Sequence, residues 1–122
     1  MDVHRLPRDP GSAREARRLV RAHLADHVPE EPLEDAVLLA SELVTNALLH
    51  TRSGVLSLAV DHGPGRVSVG VGDDSPDLPT TTPAVGLVTF GRGLPLLQDL
   101  ADEWWVEQHP GDGKTVWFRV LW

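Results

Sequence analysis

Ser41-Glu42-Leu43-Val44-Thr45-Asn46-Ala47-Leu48-Leu49-His50 reads as the second half of a helix with two stripes. Leu39, Ala40, Leu43, Val44, Ala47 and Leu48 form one broad apolar face. Glu42, Asn46 and His50 follow one another at helical spacing. Each step of four residues turns the helix by about 400°, so the three stack along one edge. A carboxylate, an amide and an imidazole beside an apolar face make either a solvated rim or an ordered polar site.

The helix is predicted to start with Pro32 at its first position and to end in Arg52-Ser53-Gly54. Upstream, Val3 to Leu6 is a short edge strand stopped by Pro7. Ser12-Ala13-Arg14-Glu15 is a capping-box sequence opening a helix to about His27. Arg14, Arg17, Arg18 and Arg21 lie opposite its apolar positions, as a solvated face or as a docking surface for an acidic protein. Downstream, Val55 to Val60 and the strand holding Val67, Val69 and Val71 form a hairpin across His62-Gly63-Pro64-Gly65. Ser68, Gly70 and Gly72 fall on the other face of that strand, where very small residues admit a close approach.

Residues 76–90 carry three prolines and a threonine run but no lysine or arginine. A loop of that length in a compact domain is often a lid or binding loop. Gly91-Arg92-Gly93 opens a third helix with Leu94, Leu97, Leu100 and Ala101 inward. Trp104 to Gln108 and Lys114 to Leu121 are the last two strands. The order β-α-α-β-β-loop-α-β-β predicts an α/β (two-layer α+β) sandwich. Its sheet has about five strands, mixed but mostly antiparallel, covered on one face by three helices.

The chain has 122 residues and no cysteine, which predicts one domain over 1–122 without disulfides or thiolate metal sites. No apolar run reaches the ~20 residues of a membrane span, and the start lacks a signal-peptide core, so a cytoplasmic protein is expected. A net charge of -7 argues against direct nucleic-acid binding. Six of the ten arginines fall in the first 21 residues, and the remainder carries 15 acids against five basic residues. A polyanionic ligand would need a metal ion or backbone N–H groups there. The histidines show no metal-ligand spacing, so zinc is not expected. Trp104, Trp105, Trp117 and Trp122 fit sheet faces, in a core or an interface.

Glu42-Leu43-Val44-Thr45-Asn46-Ala47, then Asp73-Asp74-Ser75-Pro76, Gly91-Arg92-Gly93-Leu94 and Gly113-Lys114-Thr115-Val116-Trp117 occur in that order. Together they resemble the ATP-binding fold shared by gyrase B, sensor histidine kinases and the heat-shock chaperone, the GHKL or Bergerat fold. The resemblance is strongest to the small stand-alone branch that includes bacterial anti-sigma-factor serine kinases, and it covers residues 12 to 120. It implies ATP and Mg²⁺ as cofactors. Asn46 resembles the Mg²⁺ ligand, a hard neutral oxygen suited to an ion that keeps several waters. Glu42 resembles the catalytic base. Asp73 resembles the acceptor for the adenine amino group, with Ser75, Gly91, Arg92, Gly93, Leu94 and Thr115 completing the nucleotide contacts.

The resemblance further implies a sigma factor and a small antagonist protein as partners, and a homodimer, since relatives are often dimers. The first glycine box departs from the family's Asp-x-Gly-x-Gly and reads Asp73-Asp74-Ser75-Pro76-Asp77; its proline fixes φ and removes an N–H. Two functions therefore stand side by side: a protein-serine kinase, or a module in which ATP orders a partner surface without phosphoryl transfer. His50 shares the stripe, either as a phosphate contact or as a helix-end residue.

Overall fold

A computed structural model describes residues 1–50, 55–74, 93–109 and 113–122. The loop at 76–90 and the turn at 110–112 lie outside them, as do the side chains of His50 and Leu94. The elements are β1 (Asp2–Pro7), α1 (Ser12–Leu24), α2 (Glu30–His50), β2 (Val55–Gly63), β3 (Arg66–Asp73), α3 (Gly93–Leu100), β4 (Glu103–His109) and β5 (Gly113–Leu121). The element order is the predicted one. The sheet order is β1-β2-β3-β5-β4, and every neighbouring pair is antiparallel, so the sheet is not mixed.

Strand alternation divides the sheet into two faces. Leu56, Leu58 and Val60 of β2, Val67, Val69 and Val71 of β3, and Val116, Phe118 and Val120 of β5 point to the helices and are buried. α2 lies across β3 and β5 with α3 beside it, and α1 packs on α2, β1 and β2. Ala36, Val37, Leu39, Ala40, Leu43, Val44 and Ala47 supply the helical half of this core. Their recurrence at three and four residues is the pattern read from sequence, and it explains why α2 is the central helix.

The β2–β3 hairpin is tighter than expected. His62 and Gly63 remain in β2, and the turn is Pro64-Gly65 with Gly65 at φ 70°. A two-residue turn needs such a conformation, which glycine adopts without a Cβ clash.

The α1 start also differs from the prediction. Ser12 is the first residue inside the helix, buried, and its hydroxyl donates to the Pro7 carbonyl rather than capping Glu15. The Glu15 N–H bonds to the Gly11 carbonyl at 3.1 Å, and its carboxylate pairs with Arg18. Pro32 sits in the first turn of α2 but not at its first residue; α2 begins at Glu30. The arginine face of α1 mostly works within the chain. Arg21 forks onto the Glu34 carboxylate, and Arg17 donates to the Ser41 hydroxyl at 2.8 Å, both tying α1 to α2.

Candidate functional site

The four-residue connection from α2 to β2 keeps the C-terminal turn of α2 near Val55. Val55 starts β2 at the end of the sheet where β3 finishes and β5 begins, because Ser57 pairs with Gly72 and Asp73 pairs with Lys114. Asn46 stands one turn before the end of α2, and Glu42 one turn earlier. The end of α2, the end of β3 and the start of β5 thus meet on the helix-covered side.

The Asn46 side chain is 6% exposed, and among the described residues no hydrogen bond satisfies its amide. A buried polar group left unpaired costs about 1–3 kcal/mol. Such a group marks a place where an ion, a water or a ligand belongs. A neutral amide oxygen in that position fits Mg²⁺, which takes few protein ligands and keeps its waters. Glu42 is half-buried on the same edge and takes part in further polar contacts.

Asp73 does not meet the site alone. Its Oδ1 accepts a hydrogen bond from Lys114 Nζ at 3.0 Å, and the two side chains are 7% and 4% exposed. Sequence reasoning missed Lys114. Alternation along β5 would have found it, since Lys114 has the parity of Val116, Phe118 and Val120.

By the same parity Thr115 points to the face away from α2. There its hydroxyl meets His109 Nε2 at 3.0 Å and lies against Gly72. The structure therefore brings Asn46, Glu42 and Asp73 to one side and does not bring Thr115 to it. Gly70 and Gly72 also face away from α2. A Cβ on Gly70 would stand 2.8 Å from the Trp117 ring, and one on Gly72 would strike the Ser57 hydroxyl, so side-chain packing explains both residues. Gly93 begins α3 and Leu94 lies in its first turn; Ser75, Gly91 and Arg92 are outside the described residues.

A two-layer fold with helices on one face of an antiparallel sheet, carrying an acid and an amide on its central helix and a buried aspartate at the end of the next-but-one strand, defines a nucleotide-binding class. The family model described as "Histidine kinase-like ATPase domain" matches residues 6–120, and the chain belongs to that family. It is a GHKL-type ATP-binding domain.

Among solved structures it is similar to the histidine kinase domain from the Erythrobacter litoralis EL346 blue-light activated histidine kinase, with 26% identity and a TM-score of 0.60. The match covers 95% of this chain and 61% of that one, so the chain spans about three fifths of the structure it resembles. No curated protein matches it. No helix among the described residues is long and apolar enough to cross a membrane.

Proposed function

We propose that the chain is a Mg·ATP-dependent regulatory protein of the anti-sigma type, acting in the cytoplasm. It would bind a sigma factor and transfer phosphate to a serine of a small antagonist protein. The observation that carries this reading is the buried amide of Asn46, without a hydrogen bond among the described residues, one turn from Glu42 on the helix that covers the sheet. When bound, Mg²⁺ would neutralise charge on the phosphates, which this chain's few downstream cations cannot do. Asn46 would hold it, Glu42 would take the proton of the attacking hydroxyl, and Asp73 would accept from the base.

A second reading is favoured by the ion pair at Asp73: its Oδ1 is already bonded to Lys114. In that reading the nucleotide only stabilises a partner-binding form and no phosphate moves.

Calorimetry with ATP, with and without Mg²⁺, and a phosphoryl-transfer assay on candidate antagonists test both. Asn46→Ala is expected to abolish Mg²⁺-dependent binding. Glu42→Gln is expected to keep ATP binding and lose transfer. Wild type that binds ATP but transfers to no antagonist supports the module, and wild type that gives no heat with ATP overturns both readings.

A further inference from the structure

Two histidines 19 residues apart in sequence meet at the edge of the helix layer. His4 of β1 has the parity of Leu6 and pairs with Leu58, so its ring lies on the side of the sheet that the helices cover. His23 is the penultimate residue of α1. Their Nε2 atoms are 2.6 Å apart, with ring centroids 4.9 Å apart and planes at 46°. The other ring nitrogen of His23, Nδ1, stands 3.3 Å from the Asp2 carboxylate. That carboxylate holds the His23 proton on Nδ1 and leaves its Nε2 lone pair aimed at His4. His4 therefore supplies the one proton that lies between the two rings.

We propose that this pair is a chelating site for one divalent transition-metal ion of the kind that favours imidazole, such as Zn²⁺ or Cu²⁺. The ion takes the place of the proton between the rings. His4 exchanges its Nε2 proton with water and takes one up on Nδ1, so both rings stay neutral and each Nε2 gives a lone pair to the ion. Metal–nitrogen bonds of about 2.0–2.1 Å at a tetrahedral angle set two nitrogens about 3.3 Å apart. From 2.6 Å the rings need to separate by only about 0.7 Å. Both side chains are half-buried and reachable from solvent, and His4 is on an edge strand. Asp2 stands behind His23 as a carboxylate does when it orients a ligating imidazole and raises its basicity. The C-terminal end of α1 also favours a cation.

Among the described residues no third histidine, aspartate or glutamate gathers with them, so water fills the remaining positions and the ion exchanges with solvent. Glu15, two four-residue steps before His23 on α1, is taken by Arg18. The effect of the ion is on β1. The Ser12 hydroxyl already ties the end of that edge strand to α1 through the Pro7 carbonyl, and the ion adds a second tie toward its start. A second histidine pair gives the contrast. His27 and His62 stack with centroids 4.5 Å apart and planes at 17°. Imidazole lone pairs lie in the ring plane, so two nearly parallel rings do not converge on one ion.

Calorimetry with Zn²⁺ on the full chain, in excess Mg²⁺ to occupy oxygen-ligand sites, is expected to show one ion per chain. Zn²⁺ at 100 times its dissociation constant should raise the melting midpoint by about 8–13 °C. With circular dichroism confirming the fold, His4→Gln and His23→Gln should each weaken binding at least about tenfold, and Asp2→Asn by about 10–100-fold. His27→Gln/His62→Gln should leave it unchanged. The electron paramagnetic resonance of bound Cu²⁺ should show coupling to two imidazole nitrogens, a pattern lost in either single variant and independent of any change in stability. Wild type that binds no Zn²⁺ below about 1 mM overturns the proposal, and the pair is then a hydrogen bond only. So does Zn²⁺ binding that survives His4→Gln and His23→Gln unchanged, or that is lost in His27→Gln/His62→Gln.

Discussion

Asp73→Ala leaves the Lys114 ammonium 4% exposed with its partner gone. Two unit charges 3.0 Å apart at an effective dielectric of 20 attract by about 5.5 kcal/mol before desolvation is counted. Removing one partner of a buried pair costs about 3–5 kcal/mol, because the other charge stays buried. A chain of 122 residues is stable by about 6–18 kcal/mol, so the loss is a large share of the total. With about 3–5 °C per kcal/mol for a domain of this size, the midpoint should fall by roughly 10–25 °C.

Urea unfolding followed by tryptophan fluorescence gives a second measure, a midpoint lower by about 2–3.3 M for a slope near 1.5 kcal/mol/M. Lys114→Leu should cost less, since Asp73 keeps further electrostatic contacts. Asp73→Leu/Lys114→Leu should lie within about 1.5 kcal/mol of wild type, as apolar replacements of buried pairs do. A loss under about 1 kcal/mol in Asp73→Ala, or a double variant as unstable as the single, would show that the pair does not organise this end of the sheet.

Three further outcomes follow from particular contacts. Burial pushes the Asp35 carboxyl up, with Glu31 and Asp102 adding to the effect. Its native form therefore holds its proton to higher pH than the unfolded form, and stability is lost as pH rises through the native value. Asp35→Asn should raise the melting temperature at pH 7, at the lower end of the about 0.5–2 kcal/mol typical of surface-charge changes, with a gain that shrinks toward pH 4. An equal gain at both pH values would contradict it. Gly70→Ala places a methyl 2.8 Å from the Trp117 ring and should cost about 1–3 kcal/mol, with a shift in the tryptophan emission. Unchanged emission and stability would mean that the indole does not lie there. Gly113→Ala combines φ 95° with a Cβ 2.0 Å from the Asp73 carbonyl oxygen and should cost more than about 3 kcal/mol; a wild-type melting curve would refute the backbone geometry.

The order of elements was legible because each strong local signal agreed with the fold. Val67, Val69 and Val71 alternate with Ser68, Gly70 and Gly72, and the apolar positions of α2 recur at helical spacing. The errors have physical causes. Ser12 looked like a cap because a cap motif is local, yet the carbonyl it satisfies belongs to Pro7, at the end of β1. The capping site went to Gly11, whose carbonyl receives the Glu15 N–H. Asp73 and Lys114 are 41 residues apart, so no local pattern announces the pair. What was available was the parity of β5, and reading the motif as a block hid it. Asn46 and Glu42 were legible as a stripe, whereas the burial of the Asn46 amide, which has no hydrogen bond among the described residues, needed the sheet beneath it.

β5 serves both faces of the sheet. Along Lys114-Thr115-Val116-Trp117-Phe118-Arg119, alternate residues serve opposite sides: Lys114, Val116 and Phe118 face α2 and the Asp73 carboxylate, while Thr115, Trp117 and Arg119 face away from α2. A one-residue slip would exchange the two sets and put a tryptophan and an arginine into the core. Neighbours in sequence can therefore be tested as independent sites. A change at Arg119 should move the tryptophan emission and leave the Asp73–Lys114 pair intact, and a change at Lys114 should do the reverse. Coupling between the two would have to pass through the strand itself, by moving β5 against β3, whose ladder pairs Gly70 with Trp117 on one face and Asp73 with Lys114 on the other.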